Sequence, residues 1–162
     1  MNIEKFKQEG YQGFVTVESL MKNECLNVPN EKGIYLILKN GTQKEFLSES
    51  VGGHFKGKNP TVAISVLDNK WIEESDIIYI GQAGGGSSGA TLKKRLKQYM
   101  RFGKGEPVGH WSGRYIWQLK ENRNLIVCWR PTPNEDPRVI EKEMIETFES
   151  SYGGKPFANI AG

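Results

Sequence analysis

The apolar positions are unevenly spread along the chain, and two dense runs stand out. "GIYLILK" (33–39) is apolar at nearly every position, which fits a strand buried on both faces, and the turn pair Asn40–Gly41 ends it. "DIIYIG" (76–81) is a second run of this kind. Between them, residues 42–75 are mixed and polar, with Gly52, Gly53, Gly57 and Pro60 as breakers and a short helix predicted within "TVAISVLDNKWI". This stretch, about 40–75, reads as an insertion between two paired strands rather than a separate domain. Further on, Thr91 is a natural N-cap for a basic helix. "GRYIWQL" (113–119) and "NLIVCWR" (124–130) alternate around the polar stretch Lys120–Arg123 and predict a hairpin. Asp136, with Pro137 behind it at the first helical position, opens a last helix that runs to about Tyr152 and stops at Gly153–Gly154. The order predicts an α/β (α+β) fold, a small antiparallel sheet flanked by helices, as a single domain over residues 1–162.

Composition narrows the class. At 162 residues, 37% apolar and 25% charged, the chain can build a core without disulfides or a structural metal. No apolar run approaches a membrane span, and Met1–Gly13 is polar and charged rather than signal-like, so no membrane partner is expected. Cys25 and Cys128 form no CxxC pair and read as buried free thiols of a cytoplasmic protein.

The net charge is only +3, from 22 Lys and Arg against 19 Asp and Glu, but it is unevenly placed. Lys93, Lys94, Arg95, Lys97, Arg101 and Lys104 follow one another between Thr91 and Gly105 with no acid among them, whereas acids dominate from Glu135 to Glu149. Such a basic segment is either a solvated helix face or a local field that attracts polyanions.

Helical geometry then singles out two charges. At about 100° per residue, Leu92, Leu96, Tyr99, Met100 and Phe102 share one arc, and Arg95 falls inside it, one turn before Tyr99. In the last helix Ile140, Met144, Ile145, Phe148 and Tyr152 share an arc with Glu141 near its middle, while Glu143, Glu146 and Glu149 are expected to face away. A charge in an apolar face costs several kcal/mol unless it is paired, hydrogen-bonded or bound to a metal. Three readings stand side by side: a structural Arg95–Glu141 ion pair, helices drawn wrongly, or a site where arginine holds a phosphate and glutamate a cation.

The glycine–serine loop is a weaker signal. "GGSSG" (85–89) has the letters of a nucleophile elbow, but His54 and His110 are the only histidines and the strands do not alternate with helices as that fold needs. No Gly-Lys-Ser/Thr follows, so a phosphate-cradling P-loop is also excluded and a flexible connector is expected.

Taken together, "GIY" (33–35), "YIG" (79–81), "LKKRLKQY" (92–99), "IEKEMIETF" (140–148) and Asn159 resemble the GIY-YIG nuclease superfamily, over most of the chain. The resemblance implies a small antiparallel sheet flanked by helices and metal-dependent cleavage of DNA. It makes Tyr35 and Tyr79 the two motif tyrosines near the scissile phosphate and Arg95 the phosphate-binding arginine. Tyr99 matches a position held by tyrosine or histidine in that family, Glu141 the single carboxylate ligand of one divalent cation (Mg²⁺ or Mn²⁺), and Asn159 the late supporting asparagine. Lys93, Lys94, Lys97 and Arg101 would track flanking phosphates. A tyrosine titrates near ~10, so a phenolate base at neutral pH requires that value to fall by roughly 3; Tyr79 is the first choice for this role and Tyr35 the second. The chain departs from the family in its long insertion, its longer loop 82–90, and Gln82 where a lysine is usual. His110, within "GHWSGRY", reads either as a ligand or phosphate donor or as a structural histidine. The competing reading is a non-catalytic nucleic-acid-binding module of the same fold.

Overall fold

The computed structural model describes residues 3–160. Four strands, β1 (Gln12–Thr16), β2 (Gly33–Leu38), β3 (Ile77–Ala83) and β4 (Ile126–Pro131), form one antiparallel sheet in the order β1-β4-β2-β3. The helices are α1 (Ile3–Gln8), α2 (Val17–Asn23), α3 (Ile64–Lys70), α4 (Leu92–Gly103) and α5 (Pro137–Tyr152). Among the described residues no helix is long and apolar enough to cross a membrane. The expected α+β class is the observed one.

Side chains leave alternate faces of each strand, so β2 feeds two apolar clusters. Tyr35 and Ile37 join Tyr79, Val127 and Trp129 beneath α2 and α4, whereas Ile34, Leu36 and Leu38 join Ile80 and Cys128 beneath Ile140, Met144 and Ile145 of α5. This is why "GIYLIL" shows no alternation: β2 is central in the sheet, covered on both faces, and buried at every position. Register then places the motif residues. Tyr35 stands opposite Gly81 of β3 and Trp129 of β4, and Tyr79 stands opposite Ile37. Gly81 has no room for a Cβ, because the Tyr35 ring lies where it would be.

The hairpin expected from 113–119 and 124–130 is corrected. The second segment supplies β4, but the first is a 3-10 helix, Trp111–Gln118. Its alternation is only apparent, since Tyr115, Ile116, Trp117 and Gln118 are all buried. Gln118 is held by the insertion, with its Nε2 donating to Leu47 O and Val62 O and its Oε1 accepting from Val62 N. The edge it would have taken on β4 belongs to β1, a strand broken by a bulge between Gly13 and Val15 and therefore unmarked in the hydrophobic pattern.

The insertion between β2 and β3 contains α3, as its pattern predicts, and a 3-10 turn at Phe55–Gly57. Leu67 is buried, and Phe46 and Trp71 pack on Phe157 at ring distances of 5.9 and 5.3 Å. Both cysteines are buried and unbonded. The helix ends fall where capping chemistry sets them. Thr91 Oγ1 accepts from Lys94 N, and Asp136 Oδ1 accepts from Arg138 N. The same Asp136 oxygen also accepts from Gly86 N, so the glycine loop is docked on the start of α5 instead of hanging free.

Candidate active site

The three tyrosines converge under α4. Ring centroids of Tyr35 and Tyr79 are 6.0 Å apart, those of Tyr79 and Tyr99 5.6 Å, and those of Tyr35 and Tyr99 6.4 Å. His110 completes the cluster, stacked on Tyr99 at 3.6 Å and hydrogen-bonded through Nε2 to the Tyr35 hydroxyl at 2.6 Å. Tyr99 donates to Gly113 O at 2.6 Å, and the Tyr79 hydroxyl pairs with Ser112 Oγ at 3.2 Å. Gly113 must be glycine for this packing, since a Cβ would stand 2.5 Å from the Tyr99 oxygen.

Arg95 is half-buried, and its Nη1 donates to Gly109 O at 2.8 Å and to Gln98 Oε1 at 3.3 Å. Its charge is felt by Tyr35, Tyr79, Tyr99, His110 and Glu141. It makes no direct ion pair with Glu141, although both side chains are described. The structural ion pair is thus not what holds them in apolar faces.

Glu141 lies on α5, which packs on β3, and lines a cleft of about 340 Å³ with Tyr79, Ser112 and Asn159. Asn159 clamps the strand edge there: its Oδ1 accepts from Ile80 N at 2.9 Å and its Nδ2 donates to Ile80 O at 2.8 Å. Glu146 and Glu149, expected to face away, line the same cleft, because the solvent-facing side of α5 forms one wall of an open groove. Ser112 and the wall residues Lys142 and Lys155 carried no signal in the sequence; only the fold brings them here.

Burial sets the electrostatics. It pushes the Tyr35 and Tyr99 hydroxyls well above the ordinary tyrosine range and raises Tyr79 as well, outweighing the opposing pull of Arg95. The chain by itself therefore holds all three as neutral phenols. Of these only Tyr79 lines the cleft; Tyr35 and Tyr99 are fully buried behind it. Burial, with Arg95 next in size, keeps His110 well below the usual histidine range and hence neutral. Its Nδ1 has no partner. His110 is thus enclosed among the tyrosines and does not line the cleft.

Glu141 has no hydrogen-bond or ion-pair partner among the described residues, and burial pushes its carboxyl up to about 7 against the opposing pull of Arg95. A desolvated, unpaired carboxylate is the donor a hard divalent cation seeks, and one such ligand fits an ion that keeps most of its waters. Among the described residues no group of three or more His, Cys, Asp or Glu could hold a metal by itself.

The candidate phosphate-tracking cations lie elsewhere. Lys97 and Arg101 line a second cleft of about 360 Å³ between α2 and α4, with Lys104 and Cys25, and Arg101 is paired with Glu106 at 2.9 Å. Lys93 acts electrostatically on Cys25, on that same side. Neither Lys93, Lys94, Lys97 nor Arg101 lines the cleft of Tyr79 and Glu141.

Compared with protein-family models, curated proteins and solved structures, the chain matches none.

Proposed function

We propose that this chain is a metal-dependent endonuclease that hydrolyses DNA phosphodiester bonds, built like the GIY-YIG nucleases it resembles. The observation that supports the reading most is one cleft bordered by a tyrosine hydroxyl and an unpaired, desolvated carboxylate, with an arginine acting on both. Hydrolysis needs a positioned water, neutralisation of the phosphoryl oxygens and help for the leaving oxygen. A Mg²⁺ or Mn²⁺ ion held by Glu141 would supply the Lewis acid for a phosphate oxygen. Arg95, already fixed at one nitrogen by Gly109 O, would present its remaining donors to the phosphate. Tyr79, kept neutral and bonded to Ser112, would orient the attacking water by hydrogen bonding. Tyr35, Tyr99 and His110 then act as positioning residues packed around the Tyr79 ring. The basic side of α4 would serve DNA at a distance from the scissile bond.

The test is nicking of supercoiled plasmid, across a panel of DNA substrates, with Mg²⁺ or Mn²⁺. Nicking is expected with either cation, and it should vanish in EDTA and in Glu141→Gln, with circular dichroism unchanged. Undiminished cleavage by Glu141→Gln would remove the carboxylate from the mechanism. No cleavage of any substrate would leave the binding module as the better reading.

A further inference from the structure

One set of exposed or half-buried cations is oriented by aromatic rings without a carboxylate partner. Lys44 sits against Asp68, Lys120 against Glu45, Arg123 against Glu18 and Arg130 against Glu135, while Lys39, over the Trp71 ring, is tied to the carbonyls of Ile72 and Glu73. Lys56, Lys58 and Arg114 instead sit over aromatic rings, with no ion-pair partner among the described residues. Arg114 lies 4.4 Å from the Trp111 ring centre and Lys58 5.9 Å from it, while Lys56 lies 5.2 Å from that of Phe55. A carboxylate orients a cation by neutralising it. A ring orients it and leaves its charge available.

The location joins these groups to the candidate site. Trp111 immediately precedes Ser112, the partner of Tyr79 in the cleft, and Gly109, whose carbonyl fixes Arg95, lies beside the Phe55 ring. Lys56 and Lys58 come from the insertion and are exposed, whereas Arg114 comes from the 3-10 helix beneath α4. Two segments far apart in sequence thus place three positive charges without ion-pair partners around the segment 109–112, which carries the carbonyl that fixes Arg95 and the hydroxyl that pairs with Tyr79.

We infer that Lys56, Lys58 and Arg114, ordered by Phe55 and Trp111, form the contact for the DNA backbone flanking the cleaved phosphate. The role of the insertion is then to bring phosphate contacts to the segment 109–112, whereas Lys97 and Arg101 of α4 line the other cleft, against α2. This inference rests on the nuclease reading for its choice of DNA, and its test separates the two.

A short fluorescein-labelled duplex is titrated by anisotropy in EDTA over a range of salt concentrations, with plasmid nicking measured on the same preparations. The variant is Lys56→Asn with Lys58→Gln; asparagine tolerates the left-handed backbone at position 56 (φ 53°). Affinity should fall about tenfold or more, and the slope of log K against log salt should lose about 0.9 for each phosphate contact removed. Trp111→Leu, which frees Lys58 and Arg114 without removing a charge, should weaken binding less. Lys56→Arg with Lys58→Arg should bind as wild type, which separates charge from folding. Binding and slope unchanged in the first variant would overturn the contact and leave the nuclease reading standing. Weakened binding in a protein that never nicks would keep the contact and end the nuclease reading. A wild type that binds no duplex would overturn the contact outright.

Discussion

At the scale of single residues, His110 is buried and Glu141 half-buried, and both feel the charge of Arg95, yet their proton equilibria pull the fold in opposite directions. His110 is held below the ordinary histidine value of 6.5, so the unfolded chain takes up a proton that the folded chain refuses. Stability from this group is present above pH 6.5 and is lost as the pH falls below it. Glu141 is raised from 4.5 to about 7, so the folded chain keeps a proton that the unfolded chain has released. Stability from this group is present below pH 4.5 and is lost as the pH rises through 7. In metal-free buffer the two slopes oppose each other. Urea midpoints at pH 5, 6 and 7 should therefore rise with pH in Glu141→Gln and fall with pH in His110→Phe. Parallel profiles in the two variants would show that one of these environments is wrongly described. Both positions stood out in the sequence, Glu141 through its place in an apolar arc and His110 within an unusual motif. The sequence did not reveal that His110 bonds Tyr35, because 75 residues separate them and His110 lies outside the sheet, at the start of the 3-10 helix, where only tertiary packing brings it to β2.

At the scale of elements, β3 has no strand on its outer side, and the chain after α5 covers that edge. Ala158 N donates to Ile78 O at 2.9 Å, and the Asn159 amide satisfies both backbone groups of Ile80. An exposed strand edge otherwise presents unpaired donors and acceptors to any other chain. Asn159→Ala should cost roughly 1–3 kcal/mol, since it leaves these groups without partners. Hydrogen exchange at Ile80 should accelerate strongly, and an unchanged rate would show that the clamp carries no weight. Helices with strong caps and strands buried on both faces were legible in sequence, as α4, α5, β2 and β3 show. β1 was not, because Gly13 and the bulge interrupt its alternation, and the 3-10 helix Trp111–Gln118 reads as a strand because Tyr115–Gln118 is buried throughout and shows no face to mark its period.

At the scale of the whole molecule, the same strands feed both apolar clusters, with Ile34 and Tyr35 one bond apart yet on opposite sides of the sheet. Neither cluster can loosen without withdrawing support from the other. Thermal unfolding followed by tryptophan fluorescence, which reports on four tryptophans in or against the cluster beneath α4, should coincide with unfolding followed by far-ultraviolet dichroism of the helices. Midpoints that differ would mean that α5 and its cluster melt separately. The distribution of charge belongs to this scale too: the basic run of α4 was plain in the sequence, but the fold turns Lys97 and Arg101 toward α2, so the direction of a helix face decided what linear order could not. The clamp by Asn159 also sets an order of events during synthesis. The tyrosines, the arginine and the glutamate all precede Asn159 in the chain, so every reactive group is made before the residue that closes the strand edge and completes the groove.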